Sequence, residues 1–322
     1  MLMEELSLIT GGAGFIGSHL AEQLVLRGMP VRVFDDFSTG LWSNLSHLDP
    51  TPELVEGSLT DPAAVKRAMQ GVGVVYHLGA LASVARSVEN PAATHAACAT
   101  GTLNLLDAAR TCGVRRVVYA ASSSAYGGAG GGMAGQTEDL PMVAKSPYAA
   151  AKLAGELYMQ AFAATYGIET VRLRFFNIFG PRQRADSPYS GVIALFTAAM
   201  NQGRRPTIQG DGLQSRDFTY VLNAVEALMR AADAPEVSGN VYNVGTGRTV
   251  TVLDLVNSLN RVLGKNLKPI FAPARIGDVK FSKADIRRTR ADLGYEPIVS
   301  FEDGLEKTVE WYLETQMRVL EI

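Results

Sequence analysis

Cysteine is scarce in this chain, with two residues, Cys98 and Cys112, among 322. Both lie in or beside one predicted helix, so neither a disulfide framework nor a paired-cysteine metal site is expected. Histidine is also sparse, at positions 19, 47, 77 and 95, with no metal-ligand spacing, and no structural metal is expected. No run approaches the roughly 18 apolar residues of a membrane span. Glu4 and Glu5 stand where a signal peptide would carry basic residues, and the expected location is the cytoplasm. Charge of one sign is missing too: 30 Lys and Arg against 32 Asp and Glu leave a formal net charge of −2, which argues against nucleic acid or an anionic membrane as the main partner. What is plentiful is apolar: at 47% hydrophobic and 19% charged, a chain of this length can bury a large core as one α/β domain or as a domain plus a lobe.

Along the chain, β-rich runs alternate with helical ones: "LSLIT", "SHLAEQLVLRG", "VRVFDD", "ELVEGS", "AAVKRAMQ", "VVYHLGA", a long helix from about 92 to 111, "RRVVYAAS", a second long helix from about 147 to 166, and "ETVRLRFF". This alternation predicts a doubly wound parallel sheet covered on both faces. "RVVYAA" is apolar on both alternations, as a strand covered on both sides must be. After Gly180 the pattern loosens into Pro- and Gly-rich joints around shorter elements. The expected division is a doubly wound domain over 1–180 and a smaller lobe over 181–322 that packs over the carboxyl edge of the sheet, with some chain crossing back. "GGAGGGMAG" at 127–135 reads as a loop.

Near the start, "ITGGAGFIGSHL" sets Gly11, Gly14 and Gly17 between a strand and a helix. In that order the helix N-terminus opens at the carboxyl edge of the sheet, where free N–H groups and the helix dipole can hold a pyrophosphate. Gly11 would make the tight turn, Gly14 allow close approach and Gly17 let the helix pack on the strand. Three glycines alone would serve equally in a tight βα turn without a ligand. The next strand ends in Asp35 and Asp36, about 18 residues after Gly17, where a carboxylate can accept from a ribose and would repel a 2′-phosphate. That favours NAD over NADP.

In "SPYAAAKLAGE", Tyr148 and Lys152 stand four apart, on one face of a helix. The spacing is common by chance. A phenol is a poor base at neutral pH, but a neighbouring ammonium and a nicotinamide cation would both lower its pKa and make Tyr148 a usable acid or base. Upstream, "AASSSAYG" offers Ser122, Ser123 and Ser124 at a strand end, either as turn formers and caps or, for Ser122, as a partner of the tyrosine.

At these residues the chain resembles the extended short-chain dehydrogenase/reductase superfamily and, within it, the NAD-dependent epimerase/dehydratase family with its nucleotide-sugar 4-epimerases. The likeness runs nearly end to end, through "TGGAGFIG", "FDDFSTG", "YHLGALASV", "GTLNLLDAAR", "ASSSAYG", "SPYAAAK", "RFFNIFGPRQ", "GDGLQSRDFTYV", "YNVGTG" and "PARIGDV". It implies a Rossmann-like fold and a tightly held NAD, with Phe15, Ile16, Ser58, Leu59 and Leu78 joining the glycines, Asp35 and Asp36 along the cofactor. It also implies 4-epimerisation of a UDP-sugar through a 4-keto intermediate and transient NADH. Tyr148 would remove the 4-hydroxyl proton, Ser122 would hydrogen-bond that oxygen, and Lys152 would hold the nicotinamide ribose. On the substrate side the resemblance places Ser123, Asn177, Gly191, Arg216, Arg275, Asp278 and Ser282. Arginine suits a diphosphate and a carboxylate suits ribose hydroxyls.

There are departures from the family pattern. Cys98 stands where the family usually has Asn, and Ser58 where it has an acidic residue. Ser282 is small where enzymes confined to plain hexoses carry tyrosine, and with Ala82 and Gly191 it implies room for an N-acetyl group. UDP-N-acetylglucosamine and UDP-N-acetylgalactosamine are therefore expected substrates beside the plain hexose pair. A 4,6-dehydratase or decarboxylase would need a carboxylate where Ser123 and Ser124 stand; a non-catalytic NAD-binding regulator would have no use for Tyr148 and Lys152. The helix with Leu153, Leu157 and Phe162 is apolar nearly all round, which predicts a homodimer through that helix.

Overall fold

A computed structural model describes residues 5–130, 134–185, 191–274 and 279–320. The strands of the first half are β1 (Leu6–Thr10), β2 (Val31–Asp35), β3 (Glu53–Glu56), β4 (Val72–His77), β5 (Arg116–Ser122), β6 (Glu169–Phe175) and β7 (Ile178–Phe179). The second half adds β8 (Thr207–Gln209), β9 (Ser215–Arg216), β10 (Thr219–Tyr220), β11 (Asn240–Val244), β12 (Val250–Thr251), β13 (Ile270–Ala272) and β14 (Phe281–Ser282). Seven of them form one sheet in the order β11-β6-β5-β4-β1-β2-β3, and every pairing in it is parallel. This is the doubly wound arrangement, with strand order reversing at β1 and β4, where such sheets open a crevice at their carboxyl ends. Strand β5 is buried at every position but its last, as two covered faces require.

The helices are α1 (Phe15–Leu26), α2 (Pro62–Ala68), α3 (Val84–Glu89), α4 (Pro91–His95), α5 (Gly101–Cys112), α6 (Pro147–Tyr166), α7 (Val192–Asn201), α8 (Val221–Asp233), α9 (Val252–Val262), α10 (Arg287–Leu293) and α11 (Phe301–Leu320). On one face of the sheet, Leu20 and Leu24 of α1 and Ala224 and Leu228 of α8 pack against Ile9, Val33, Val118 and Leu173. On the other, Val65 of α2, Leu105 and Leu106 of α5, and Met159 and Phe162 of α6 cover Leu8, Val75 and Val117. Each such fully buried branched side chain stabilises the fold by about 1.5–3 kcal/mol relative to exposure.

Local signals explain the helix boundaries. α6 starts at Ser146, whose hydroxyl accepts from Ala149 N at 3.1 Å, with Pro147 in its first turn, and it stops at Gly167 with φ +70°, a left-handed cap that favours glycine. The stretch read as one helix from about 92 to 111 departs from regularity: a π-turn over Ala96–Thr100 separates α4 from α5. A 3.6-residue period carries no signature of one widened turn.

The later elements build a second core. Phe179 meets Phe218, Tyr220 and Phe301 at ring-centroid separations of 6.4, 5.8 and 5.8 Å, with Phe196 of α7, Leu255 of α9 and Leu305 of α11 around them. From this later part of the chain, β11 borders β6 in the main sheet and α8 lies on its face. Next to α1, His19 bonds the Pro181 carbonyl at 3.0 Å and Arg182 donates to Glu22 at 2.7 Å. Both cysteines are free thiols.

Candidate active site

The glycine turn sits between β1 and α1. Gly11 adopts φ +68°, and a Cβ there would lie 2.8 Å from Gly79 Cα, so the fold itself requires glycine. At Gly17 a Cβ would collide with the Gly11 carbonyl oxygen. Gly14 is different. Its φ of −77° suits any residue, and an added Cβ would meet one neighbour within 4 Å, the Gly11 oxygen at 3.1 Å. Its outer side is open, at the first turn of a helix with neither a side-chain cap nor an acidic residue. A cradle of this kind fits a dinucleotide pyrophosphate, which needs bare backbone and free N–H donors.

The two aspartates after β2 separate. Asp35 is buried and accepts from Ala13 N and Phe37 N, each at 2.9 Å, so one carboxylate braces the glycine turn and retains lone pairs for a ribose. Burial raises its pKa and these backbone donors oppose the rise. Asp36 is exposed and accepts from Ser38 N at 3.0 Å and Ser38 Oγ at 2.6 Å within its own loop. Leu59 and Leu78 line the neighbouring strand ends: Leu59 Cδ1 would touch a Cβ at Gly79, and Leu78 N donates to Thr10 O at 3.2 Å. Ser58 Oγ lies 2.9 Å from Thr60 Oγ1. Phe15 and Ile16 open α1 and pack partly against the second core.

Ser122 closes β5, and its hydroxyl caps the short 3₁₀ turn Ser123–Tyr126 by accepting from Ser124 N at 3.2 Å. Ser124 Oγ donates to the same oxygen at 2.9 Å, and the Ser122 hydroxyl is near enough to Tyr148 to hold its pKa down. It is therefore both cap and tyrosine partner. Lys152, one helical turn after Tyr148, is buried and donates from Nζ to Ala120 O at 2.8 Å. Spacing suggests that the ammonium governs the phenol. In the structure burial does, pushing the Tyr148 phenol up, with the Cys98 thiol acting in the same direction and the Ser122 hydroxyl against it. Burial also lowers the Lys152 pKa, opposed by Cys98 and Glu156. Cys98 packs with Ala99 and Ala151 against Tyr148, so the π-turn forms a wall of this site.

Among the residues assigned to substrate, the structure brings Arg216 and Ser282 together as register partners on β9 and β14. Arg216 Nη1 donates to Ser215 O at 2.9 Å. Ser282 is buried, its Oγ 3.5 Å from Gln136 Oε1. Asn177 follows β6 with φ +38°, and its carbonyl accepts from Thr219 N at 3.2 Å. Gly191 is the exposed N-cap of α7, and Ser123 opens the 3₁₀ turn. Arg275 and Asp278 lie outside the described residues.

Two arrangements escape sequence reading. Asp217, beside Arg216, is fully buried, and its carboxylate accepts from Thr246 N, Thr246 Oγ1, Gly247 N and Ala284 N at 2.8, 2.7, 3.0 and 3.1 Å. It ties the segments that carry Arg216 and Ser282 to the turn at 246–247. Glu156, one turn beyond Lys152, holds Arg174 of β6 through a buried ion pair at 2.8 Å, which anchors the Tyr148 helix to the sheet. Glu156 offers one sequence signal, an ionisable residue in the largely apolar run "LAGELYM", whereas Asp217 in "QSRDFT" offers none.

A family model described as the NAD dependent epimerase/dehydratase family matches residues 7–245. The chain is 36% identical over 313 residues to the UDP-glucose 4-epimerase of Mycolicibacterium smegmatis, covering 95% of this chain and 98% of that protein. It is 33% identical over 324 residues to the UDP-N-acetyl-alpha-D-glucosaminuronate decarboxylase of Bacillus cytotoxicus, covering 98% and 99%. Among solved structures, the UDP-N-acetylglucosamine 4-epimerase from Methanobrevibacter ruminantium M1, in complex with UDP-N-acetylmuramic acid, superposes with a TM-score of 0.91 at 34% identity, covering 97% of this chain and 99% of that one.

Proposed function

The chain belongs to the NAD dependent epimerase/dehydratase family, and from that premise we propose that it is a UDP-sugar 4-epimerase inverting C4 of UDP-N-acetylglucosamine and UDP-N-acetylgalactosamine, and of UDP-glucose and UDP-galactose. The observation that carries this reading is Ser122 at the end of β5 acting on the buried Tyr148 phenol, with the buried Lys152 one turn on, in the same parallel sheet whose β1 leads into the glycine turn. NAD, when bound, would take the hydride from the sugar's C4 and return it to the opposite face. Gly11, Gly14, Gly17 and Asp35 would hold it.

Tyr148 takes the proton of the 4-hydroxyl as the 4-keto sugar forms and gives it back as the ketone is reduced. Ser122 orients the same oxygen. Lys152, one turn from Tyr148, is fixed by Ala120 O and buried; its charge, together with that of the nicotinamide when bound, would act against the burial that pushes the phenol up. Arg216 pairs with the diphosphate, and Ser282 beside it leaves room at C2.

The decarboxylase among the relatives keeps a second reading in view. That reaction begins with the same C4 oxidation, but serines fill positions 123 and 124 where it needs a carboxylate, and Ser124 is already engaged with Ser122. A homodimer through α6 is also proposed. Phe162 packs in the core, while Leu157 is 59% exposed and Val88 of the adjoining α3 is 66% exposed, an apolar face that a second copy would cover.

The test is incubation of purified protein with UDP-glucose and with UDP-N-acetylglucosamine, without added cofactor, followed by separation of the products. The 4-epimers should appear. A decarboxylated or dehydrated product would replace this reading.

A further inference from the structure

His77 ends β4 with no exposed surface and takes no part in the chemistry above. Its two ring nitrogens reach opposite ways: Nδ1 lies 2.8 Å from Thr10 Oγ1, and Nε2 lies 2.9 Å from Thr102 Oγ1. The outer contacts fix the direction of every proton. Thr102 Oγ1 donates its one hydrogen to the Cys98 carbonyl at 2.6 Å, because a carbonyl can only accept, so it must receive from His77 and Nε2 carries the hydrogen. Thr10 Oγ1 accepts from Gly79 N at 3.2 Å and gives its own hydrogen to Nδ1. The result is a chain of defined polarity, from Gly79 N–H through Thr10, His77 and Thr102 to the Cys98 carbonyl. It is complete only with a neutral imidazole protonated at Nε2.

Burial, and then the charge of Lys152, lower the His77 pKa to about 3, so the ring stays neutral at working pH. Around it stand Thr10 of β1, Thr102 of α5, Tyr119 of β5 at 5.4 Å between ring centroids, and Lys152 of α6.

The ends of this chain are the two halves of the site. Thr10 leads directly into Gly11, the turn whose Cα packs against Gly79. Cys98 lies in the π-turn, where the regular ladder of helix hydrogen bonds is interrupted, and packs against Tyr148. We propose that His77 is a positioning residue: a neutral strut that fixes the π-turn wall behind Tyr148 relative to the dinucleotide turn, so that its Thr102 end governs the chemistry and its Thr10 end governs retention of NAD.

The proposal rests on the epimerase reading only through the activity assay, and NAD content is measured apart from it. The experiment compares Thr102→Val and Thr10→Val with wild type for NAD bound per chain after gel filtration, kcat and KM for the UDP-sugar, and melting temperature. Thr102→Val should keep NAD content and KM while kcat falls about tenfold, the scale of a small misplacement of reacting groups. Thr10→Val should lose NAD on the column, with kcat per bound NAD near that of wild type. Thr→Ser at either position keeps the hydroxyl and should restore wild-type values. If Thr10→Val does not fold, Thr10→Ala replaces it, and Thr102→Val alone decides the catalytic half.

Identical profiles for the two valine variants, or losses confined to melting temperature, would overturn the strut. A wild type without epimerase activity would instead remove the epimerase reading, and the difference in NAD content between the variants would still decide this one.

Discussion

The Tyr119 ring lies beneath Lys152: the ammonium is 4.7 Å from the ring centroid, and the Tyr119 hydroxyl donates to the Lys152 backbone carbonyl at 3.3 Å. The same side chain therefore holds both the charge and the backbone of the lysine. Gly155 makes the fit possible, since a Cβ there would collide with the Tyr119 hydroxyl. A desolvated cation over an aromatic face is stabilised by about 2 kcal/mol. Tyr119→Phe keeps the face and should leave kcat within about threefold of wild type, whereas Tyr119→Leu removes it and should cost about tenfold or more. Equal kcat values in the two variants would remove the ring from this role.

Tyr148→Phe keeps the ring and deletes the proton carrier. Turnover should fall by at least about 10², the scale of a lost general acid/base, with UDP-sugar affinity nearly unchanged. Calorimetric binding beside initial-rate kinetics separates the two, and undiminished turnover would exclude Tyr148 as the acid/base.

Ser282→Tyr tests substrate size. The native side chain is buried against Gln136, so a phenol cannot fit where the serine is and must project into the adjoining space. The variant should lose the N-acetyl sugars and keep the plain hexose pair. Chromatographic rates on both pairs measure this, and an unchanged ratio would show that the gate lies elsewhere.

Acid should destabilise the protein through two buried histidines. Burial, then the charge of Arg182, lowers the His19 pKa to about 4, and burial, then Lys152, lowers that of His77 to about 3, against an ordinary value near 6.5. Below pH 6.5 the unfolded chain binds protons that the folded chain refuses. The contribution of each is complete above about pH 6.5 and is lost as pH falls toward its folded pKa, at a slope of at most about 1.4 kcal/mol per pH unit. Melting temperature followed from pH 7.5 to 4.5 should fall with a shallower slope in His19→Gln than in wild type. Parallel curves would show that His19 is protonated in the folded chain.

Light scattering at micromolar concentration should return twice the chain mass. Leu157→Glu places a charge on the exposed face of α6 and should give the monomer mass with the melting transition retained. A monomeric wild type would rule the interface out.

Much of the site was readable because its chemistry is local in sequence. Glycines three apart and Tyr148 with Lys152 four apart are patterns of a single turn, and the alternation of strand and helix fixes the sheet. What escaped depends on residues distant along the chain. His77 meets Thr10 across 67 positions and Thr102 across 25. Asp217 gathers donors from positions 246, 247 and 284, and no spacing rule reaches that far. The burial that raises the Tyr148 pKa is hidden from sequence for a related reason: spacing reveals a neighbouring charge, whereas burial depends on everything folded around the phenol.

Gly14 separates two demands that Gly11 and Gly17 combine. The fold can take a methyl group at position 14 with a small displacement of one carbonyl, and the cost to the helix start is about 1 kcal/mol or less. The objection to a side chain there comes from whatever must lie against the backbone. Gly14→Ala is thus a route to a folded chain without its dinucleotide, in which what the bound cofactor adds to stability can be read apart from the fold itself.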